Sequence, residues 1–209
     1  MARRTKEEAA ETRVRIIDTA EKIFHKKGVS RTSLEDIADA AGVTRGAIYW
    51  HFKNKAQLFE AMTERMSLPM EEMVERIGGA TVDNPLDAVR ACALGVLQRV
   101  ATDPQTRRIS EICNYKVEYV DEMAQLRTRY VECRTECLQK IEQGFRRAKK
   151  LGLIGASINP RLAAVGLHAL VDGLIVNWLL DPKYLSLAKA AKPLIDTYID
   201  GLRSGKRRH

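Results

Sequence analysis

Glycine, proline and aromatic residues are scarce in this 209-residue chain, which has 13 Gly, 6 Pro and 6% aromatics. So few glycines and prolines exclude a collagen-like repeat or a low-complexity linker. Few aromatics, with no alternation long enough to read as a strand, leave little from which to build sheets. Cys92, Cys113, Cys133 and Cys137 form no C-x-x-C pair and no zinc-finger spacing, so neither a disulfide framework nor structural zinc is expected. Cys133 and Cys137 lie four apart, but no His or carboxylate completes a ligand set with them. The opening MARRTKEEAAETR lacks an apolar run, so a secretory signal is not expected and a cytoplasmic setting with reduced thiols follows. Signatures of catalysis are missing too. There is no P-loop, G-x-G-x-x-G or nucleophile elbow, and four histidines leave little from which to assemble an active site. Neither an enzyme, a cofactor nor a bound metal is expected.

What is present is 45% hydrophobic and 30% charged, too apolar for intrinsic disorder and long enough to bury a core. The net charge of +8 is unevenly placed. Residues 1–55 hold 12 basic and 8 acidic side chains, net +4. Residues 56–200 hold 19 of each, and the tail 201–209 adds Arg203, Lys206, Arg207 and Arg208 with no acid. A basic N-terminal segment on a neutral body is the footprint of a polyanion-binding module. A solvated basic face would carry the same charge.

The apolar spacing is helical almost throughout. Ile16, Ile17, Ala20, Ile23 and Phe24 make one face of a helix that Gly28 stops. A short helix follows, opened by a capping-box pattern at Thr32 with Glu35 or at Ser33 with Asp36, with Leu34, Ile37, Ala38 and Ala41 inward. Gly42 ends it, Thr44 can cap a third helix with Ile48 and Phe52 inward, and Asn54 can cap a fourth carrying Leu58, Phe59, Met62 and Met66. A loop at Gly78, Gly79, Asp83, Asn84 and Pro85 precedes a helix over Asp87–Ala101. Further helices are expected over Thr106–Tyr119, Val120–Lys150, Arg161–Leu180 and Leu185–Leu202. The expected class is all-α, with about nine helices, divided into residues 1–55 and 56–209.

Two short helices about a glycine turn form a helix-turn-helix. Ala38 is small where the helices cross, Gly42 supplies a left-handed residue, and Val43 and Ile48 plug the joint. The second helix can then lie in a DNA major groove with its first residues at base edges. Its outward residues are Thr44, Arg45, Gly46, Ala47, Tyr49, Trp50 and His51. Arg45 can pair with both acceptors of guanine, while Gly46 and Ala47 allow close approach and contact with thymine methyls. Tyr49, Trp50, His51 and Lys55 offer donors toward phosphates. Thr32 and Ser33, at the head of the first of the two helices, complete the candidate DNA contacts. Phe52 reads as a core aromatic, but Tyr49, Trp50 and His51 cannot all face inward from one helix.

The segment TSLEDIADAAGVTRGAIYWHFKNKAQLF resembles the DNA-binding signature of the TetR family of transcriptional repressors, matched at Gly42, Val43, Thr44, Gly46, Ile48, Tyr49, Trp50, His51, Phe52 and Lys55. RRTKEEAAETRVRIIDTAEKIFHKKGVSRTS, TRRISEICNYKVEY and VDGLIVNWLLDP are similar, more narrowly, to the AcrR/TtgR-type repressors of multidrug efflux pumps. The resemblance implies an all-helical homodimer that binds operator DNA through its N-terminal helices. It also implies that a ligand in the body shifts the fourth helix, separates the two reading heads and releases the DNA.

In the body, Leu162–Leu180 is apolar enough to suggest a membrane span, but His168, Asp172 and Asn177 interrupt it, and a helix buried in protein or at a subunit contact is expected instead. Asp172 is the single charge between Arg161 and Asp181. It reads either as the partner of His168 one turn earlier or as a polar anchor in an apolar ligand pocket. Cys92, Val96, Ser110, Cys113, Asn114, Cys137, Ile141, His168, Val171, Asp172 and Ile175 are the candidate effector contacts, each of which also suits plain core. Small, sulfur-containing and mildly polar side chains suit a roomy site for varied hydrophobic drugs. Helices near 161–180 and 185–202 are expected to pair two copies, with Gly166 and Gly173 allowing close approach. A cysteine-based redox sensor of the same fold and a repressor of a metabolic operon remain as alternatives.

Overall fold

The computed structural model describes residues 2–78 and 83–203, with side chains from residue 6 onward. Gly79 of the expected loop and the basic tail residues Lys206, Arg207 and Arg208 lie outside the described residues. Within them the chain forms α1 (Ala2–Lys27), α2 (Leu34–Ala41), α3 (Arg45–His51), α4 (Lys55–Gly78), α5 (Pro85–Thr102), α6 (Pro104–Tyr115), α7 (Ala124–Lys150), α8 (Pro160–Leu180) and α9 (Leu187–Leu202). A short 3-10 turn, Asp121–Met123, precedes α7, and no strand occurs among the described residues. The fold is all-α.

Local chemistry sets most of the boundaries. Gly28 stops α1 at a left-handed φ of 86°. Of the two capping pairs open in the sequence, Ser33 with Asp36 forms the reciprocal box: the Asp36 amide donates to Ser33 Oγ at 3.0 Å and the Ser33 amide to Asp36 Oδ2 at 2.9 Å. Gly42 closes α2 at φ 64°, and the Val43 amide turns back to the Ala38 carbonyl at 3.0 Å. Thr44 Oγ1 accepts the Ala47 amide at 3.1 Å and Asn54 Oδ1 accepts the Gln57 amide at 2.8 Å, opening α3 and α4. Asn84 and Asn159, each followed by proline at the first helical position, open α5 and α8.

Several boundaries shift by one to four residues from expectation, and three stretches matter most. Helix α4 continues through Pro69 to Gly78. Helix α6 stops at Tyr115 rather than Tyr119, and α7 begins at Ala124 rather than Val120. The last difference has a local cause: Asp121 sits at φ 49°, a left-handed conformation that a helix cannot continue through. The break brings Met123 into the core of the N-terminal half.

The described residues fall into two compact units: residues up to Ser67 with Arg108–Tyr130, and Leu68–Arg107 with residues from Val131 onward. In the first, Ile16, Ala20 and Phe24 of α1, Ile37 and Ala38 of α2, Ile48 and Phe52 of the third helix region and Leu58 and Met62 of α4 share one core. Ile109, Ile112, Met123 and Leu126, distant in sequence, complete it. Glu21 is buried there and ion-paired to Arg108 at 2.7 Å and to Arg65 at 3.7 Å. In the second unit, α5 packs along α9 and α8 around Leu86, Leu97, Phe145, Leu167, Ile195 and Ile199. Gly144 is required by packing, because a Cβ there would stand 2.6 Å from Val89 and 2.7 Å from Ile77.

Candidate nucleic-acid interface

Helix α3 has seven residues, of which only Ile48 is buried. With Phe52, fully buried beyond its C-terminus, Ile48 fastens the helix to the first core and leaves the rest facing outward. Trp50 is 73% exposed and the Arg45 side chain 73% exposed. Tyr49, Thr44 and Gly46 are exposed, and Ala47 is partly so. Exposure of this much aromatic surface on an otherwise polar helix marks a contact surface. The expected outward set is therefore accessible together on one element.

These groups are not loose. Arg45 Nη2 donates to Glu35 Oε1 at 2.7 Å, and the Tyr49 hydroxyl donates to the same oxygen at 3.0 Å. Glu35 of α2 thus gathers the two longest polar side chains of α3. The amide of Glu35 itself, then Tyr49, then Arg45 hold the Glu35 carboxyl below the usual carboxylate range, and the Glu35 contact pushes the Tyr49 phenol above its ordinary value. The His51 ring packs edge-on to Trp50, with centroids 4.5 Å apart. Partial burial, then the nearby Arg13, favour its neutral form, so it faces the surface as a single-donor imidazole. A cleft of about 560 Å3 opens beside α3, bordered by Ser33, Glu35, Tyr49, Lys53, Asn54 and Lys55.

Two candidates lie elsewhere than expected. Thr32 is buried, and its hydroxyl donates to the Gly28 carbonyl at 2.8 Å. Lys55 keeps only 13% of its side chain exposed; its amine donates to the Thr32 carbonyl at 3.1 Å and lies 3.3 Å from Glu122. Both serve the joint between the α1–α2 loop and the head of α4, at the wall of that cleft. Ser33 is exposed, with its oxygen accepting in the α2 cap. Glu35 is the residue that sequence reasoning missed, because its contacts lie ten and fourteen residues on and follow no helical period.

The candidate effector residues divide between the two units. Cys92 of α5, Cys137 of α7 and Asp172 of α8 are near enough for their charges to couple, with Ile141, Val171 and Ile175 in or against the same core. Val96 is half-buried on α5. Ser110, Cys113 and Asn114 belong to the first unit, where the Ser110 hydroxyl meets Met66 Sδ at 3.1 Å, Cys113 packs on the first core, and Asn114 Nδ2 donates to the Ser110 carbonyl at 2.9 Å. Asp172 is not the buried carboxylate that its apolar helix suggests: its side chain is 48% exposed and pairs with His168 Nδ1 at 3.2 Å. The two border an open groove of about 370 Å3 with Arg134, Leu138, Arg161 and Val165. Gly166 meets the Tyr198 hydroxyl of α9, where an added Cβ would stand 2.5 Å away, whereas the space beside Gly173 is open. Burial pushes the thiols of Cys92 and Cys113 up to about 12 and that of Cys137 up to about 11. Among the described residues no group of three or more His, Cys, Asp or Glu side chains could hold a metal.

Known proteins share this fold. Residues 16–62 match the family model for bacterial regulatory proteins of the tetR family, and residues 84–204 match that of the MAATS-type transcriptional repressor, C-terminal region. The HTH-type transcriptional regulator TtgR of Pseudomonas putida is 40% identical over 203 residues, 97% of each chain. NalD, the secondary repressor of the MexAB-OprM multidrug efflux pump in Pseudomonas aeruginosa, superposes with a TM-score of 0.87 at 37% identity, covering 95% of this chain and 98% of that one. SmeT of Stenotrophomonas maltophilia, in its complex with triclosan, gives a TM-score of 0.84 at 32% identity, covering 93% of each chain. With two family models across most of its length and a relative alike from end to end, the chain belongs to the TetR family of transcriptional regulators and is not an enzyme.

Proposed function

We propose that the protein represses a multidrug efflux operon: it binds a pseudo-palindromic operator as a homodimer and leaves it when a hydrophobic, drug-like molecule occupies its body. The observation that carries this reading is α3 itself, a helix held by Ile48 and Phe52 that turns Arg45, Tyr49 and Trp50 outward together. Residues 1–55 are assigned to operator reading, with Ser33, Thr44, Arg45, Gly46, Ala47, Tyr49, Trp50 and His51 at the DNA. Residues 56–209 are assigned to effector recognition and pairing. The likeness to NalD and SmeT supports the regulated target, and the triclosan complex of SmeT supports an apolar aromatic effector. In the second unit, Cys92, Val96, Cys137, Ile141, His168, Val171, Asp172 and Ile175 are the residues proposed to meet it.

Helix α8 supports pairing. By length and composition it could cross a membrane, yet only 28% of its most apolar window is buried within the chain. Leu162 is 67% and Leu180 69% exposed, apolar surface of the kind a subunit contact covers. A second copy seated on α8 and α9 gives two reading heads, which fit half-sites about 34–36 Å apart on the operator. Effector binding then has only to change that spacing. Helix α4 supplies residues to both units, and Pro69 removes one backbone donor within it, the kind of place where a helix bends. A reactive thiol needs its thiolate favoured, and burial does the reverse at Cys92, Cys113 and Cys137. These three thiols favour a drug over peroxide as the trigger, and Cys133, half-buried on α7, is the thiol that a peroxide response would have to use.

A gel-shift with the DNA upstream of the gene, read with and without triclosan and with and without peroxide, tests the reading. A discrete complex that triclosan dissolves and peroxide leaves intact is expected. No complex, or release by peroxide alone, overturns it.

A further inference from the structure

We infer that Glu35 is a specificity-determining residue of the reading head, holding Arg45 and Tyr49 in place through one carboxylate oxygen and cancelling the charge that Arg45 brings to DNA. The role deepens the operator-binding reading above and rests on it. Arg45 Nη2 and the Tyr49 hydroxyl converge on Glu35 Oε1 at 2.7 and 3.0 Å, from a helix that follows that of Glu35 across the Gly42 turn. The backbone that carries Glu35 is fixed, because it lies in the first turn of α2 within the Ser33–Asp36 box.

Geometry distinguishes buttressing from masking. A guanidinium has five donors in a planar fork. Glu35 engages Nη2, and the rest of the fork stays available at the largely exposed Arg45 side chain. A guanidinium held on one side by a carboxylate can present its other side to the two acceptors of guanine, with its rotamers already restricted. Without Glu35, Arg45 would lose its conformational freedom only on binding and would be free to turn to phosphates on any sequence. Glu35 also sets a negative charge at the surface that meets DNA, which opposes adhesion to random duplex. Ion pairs this exposed add little to folding, so the contact is read as functional rather than as a stabiliser of α2.

Operator and random-duplex affinities, each measured across a salt series for the unaltered protein, Glu35→Gln, Arg45→Ala and the double variant, test the role. Glu35→Gln should bind random duplex more tightly, with a salt slope steeper by about 1 for the one charge no longer cancelled. Its operator-to-random ratio should fall by roughly two- to tenfold, because a neutral amide oxygen holds the guanidinium less firmly than a carboxylate does and up to one long side chain must then be ordered on binding. In the Arg45→Ala background the same change should leave the ratio nearly unaltered, because the group being positioned is gone. An equal fall in the ratio with and without Arg45 overturns the role, as does tightening of operator and random duplex by one common factor. If the unaltered protein itself does not prefer the operator, the operator-binding reading fails first and Glu35 fails with it. If it does prefer the operator and Glu35→Gln changes nothing, Glu35 alone is refuted.

Discussion

Helices α3 and α8 use their outward faces in opposite ways. Helix α3 buries one residue and exposes a guanidinium, a phenol and an indole, all of them groups that bind by direction. Helix α8 buries Ala163, Ala164, Leu167, Leu174, Trp178 and Leu179 and still leaves Leu162, Val165 and Leu180 exposed. Those are groups that bind by area. The first surface suits a polar, patterned partner such as base edges, the second an apolar one such as its own copy.

Breaking the anchor of α3 should have the largest effect. Phe52→Ala removes a ring that is 1% exposed and lies under the Arg13 guanidinium; it should cost about 3–5 kcal/mol in urea unfolding and abolish DNA binding at growth temperature. Next in size is the face of α8. Leu162→Glu with Leu180→Glu should leave the fold intact, since both sites are exposed, yet give monomers by sedimentation; each leucine covered by a partner accounts for about 1.5–3 kcal/mol. Arg45→Ala should cost about 1–3 kcal/mol of operator affinity and relax one base position in a selection from random sites. Lys55→Ala sharpens the comparison at the smallest scale. Because its amine is bonded to Thr32 and paired with Glu122, the change should lower stability by about 0.5–1.5 kcal/mol. The salt slope should stay put, whereas loss of a phosphate contact would reduce it by about 1.

What was legible in the sequence was what the chain decides locally. The caps at Thr44 and Asn54, the left-handed Gly42 and the inward pair Ile48 and Phe52 depend on neighbours within a few residues, and each stands as read. At the head of α2 the sequence left Thr32 with Glu35 and Ser33 with Asp36 both open. Long-range partners left no such trace. Nothing near Lys55 announces Glu122, nothing near Phe24 announces Ile109 or Met123, and Glu35 is recognisable as the holder of Arg45 only once the angle between α2 and α3 is known. Asp172 shows a different limit. In a helix apolar on almost every side, periodicity cannot say which face the chain covers, and this carboxylate lies on a face left half open. The candidate effector residues divide for a related reason: α6 carries Ser110, Cys113 and Asn114 into the first unit, although their composition matches that of Cys92 and Cys137 in the second.

Strand cleavage protection across the upstream DNA tests the central claim most directly, that two copies of α3 read two half-sites. The account predicts two protected half-sites related by a dyad, centred one helical turn of about 34–36 Å or a multiple of it apart, and both lost together in Arg45→Ala. Protection of a single half-site, or of the same two in Arg45→Ala, would contradict it.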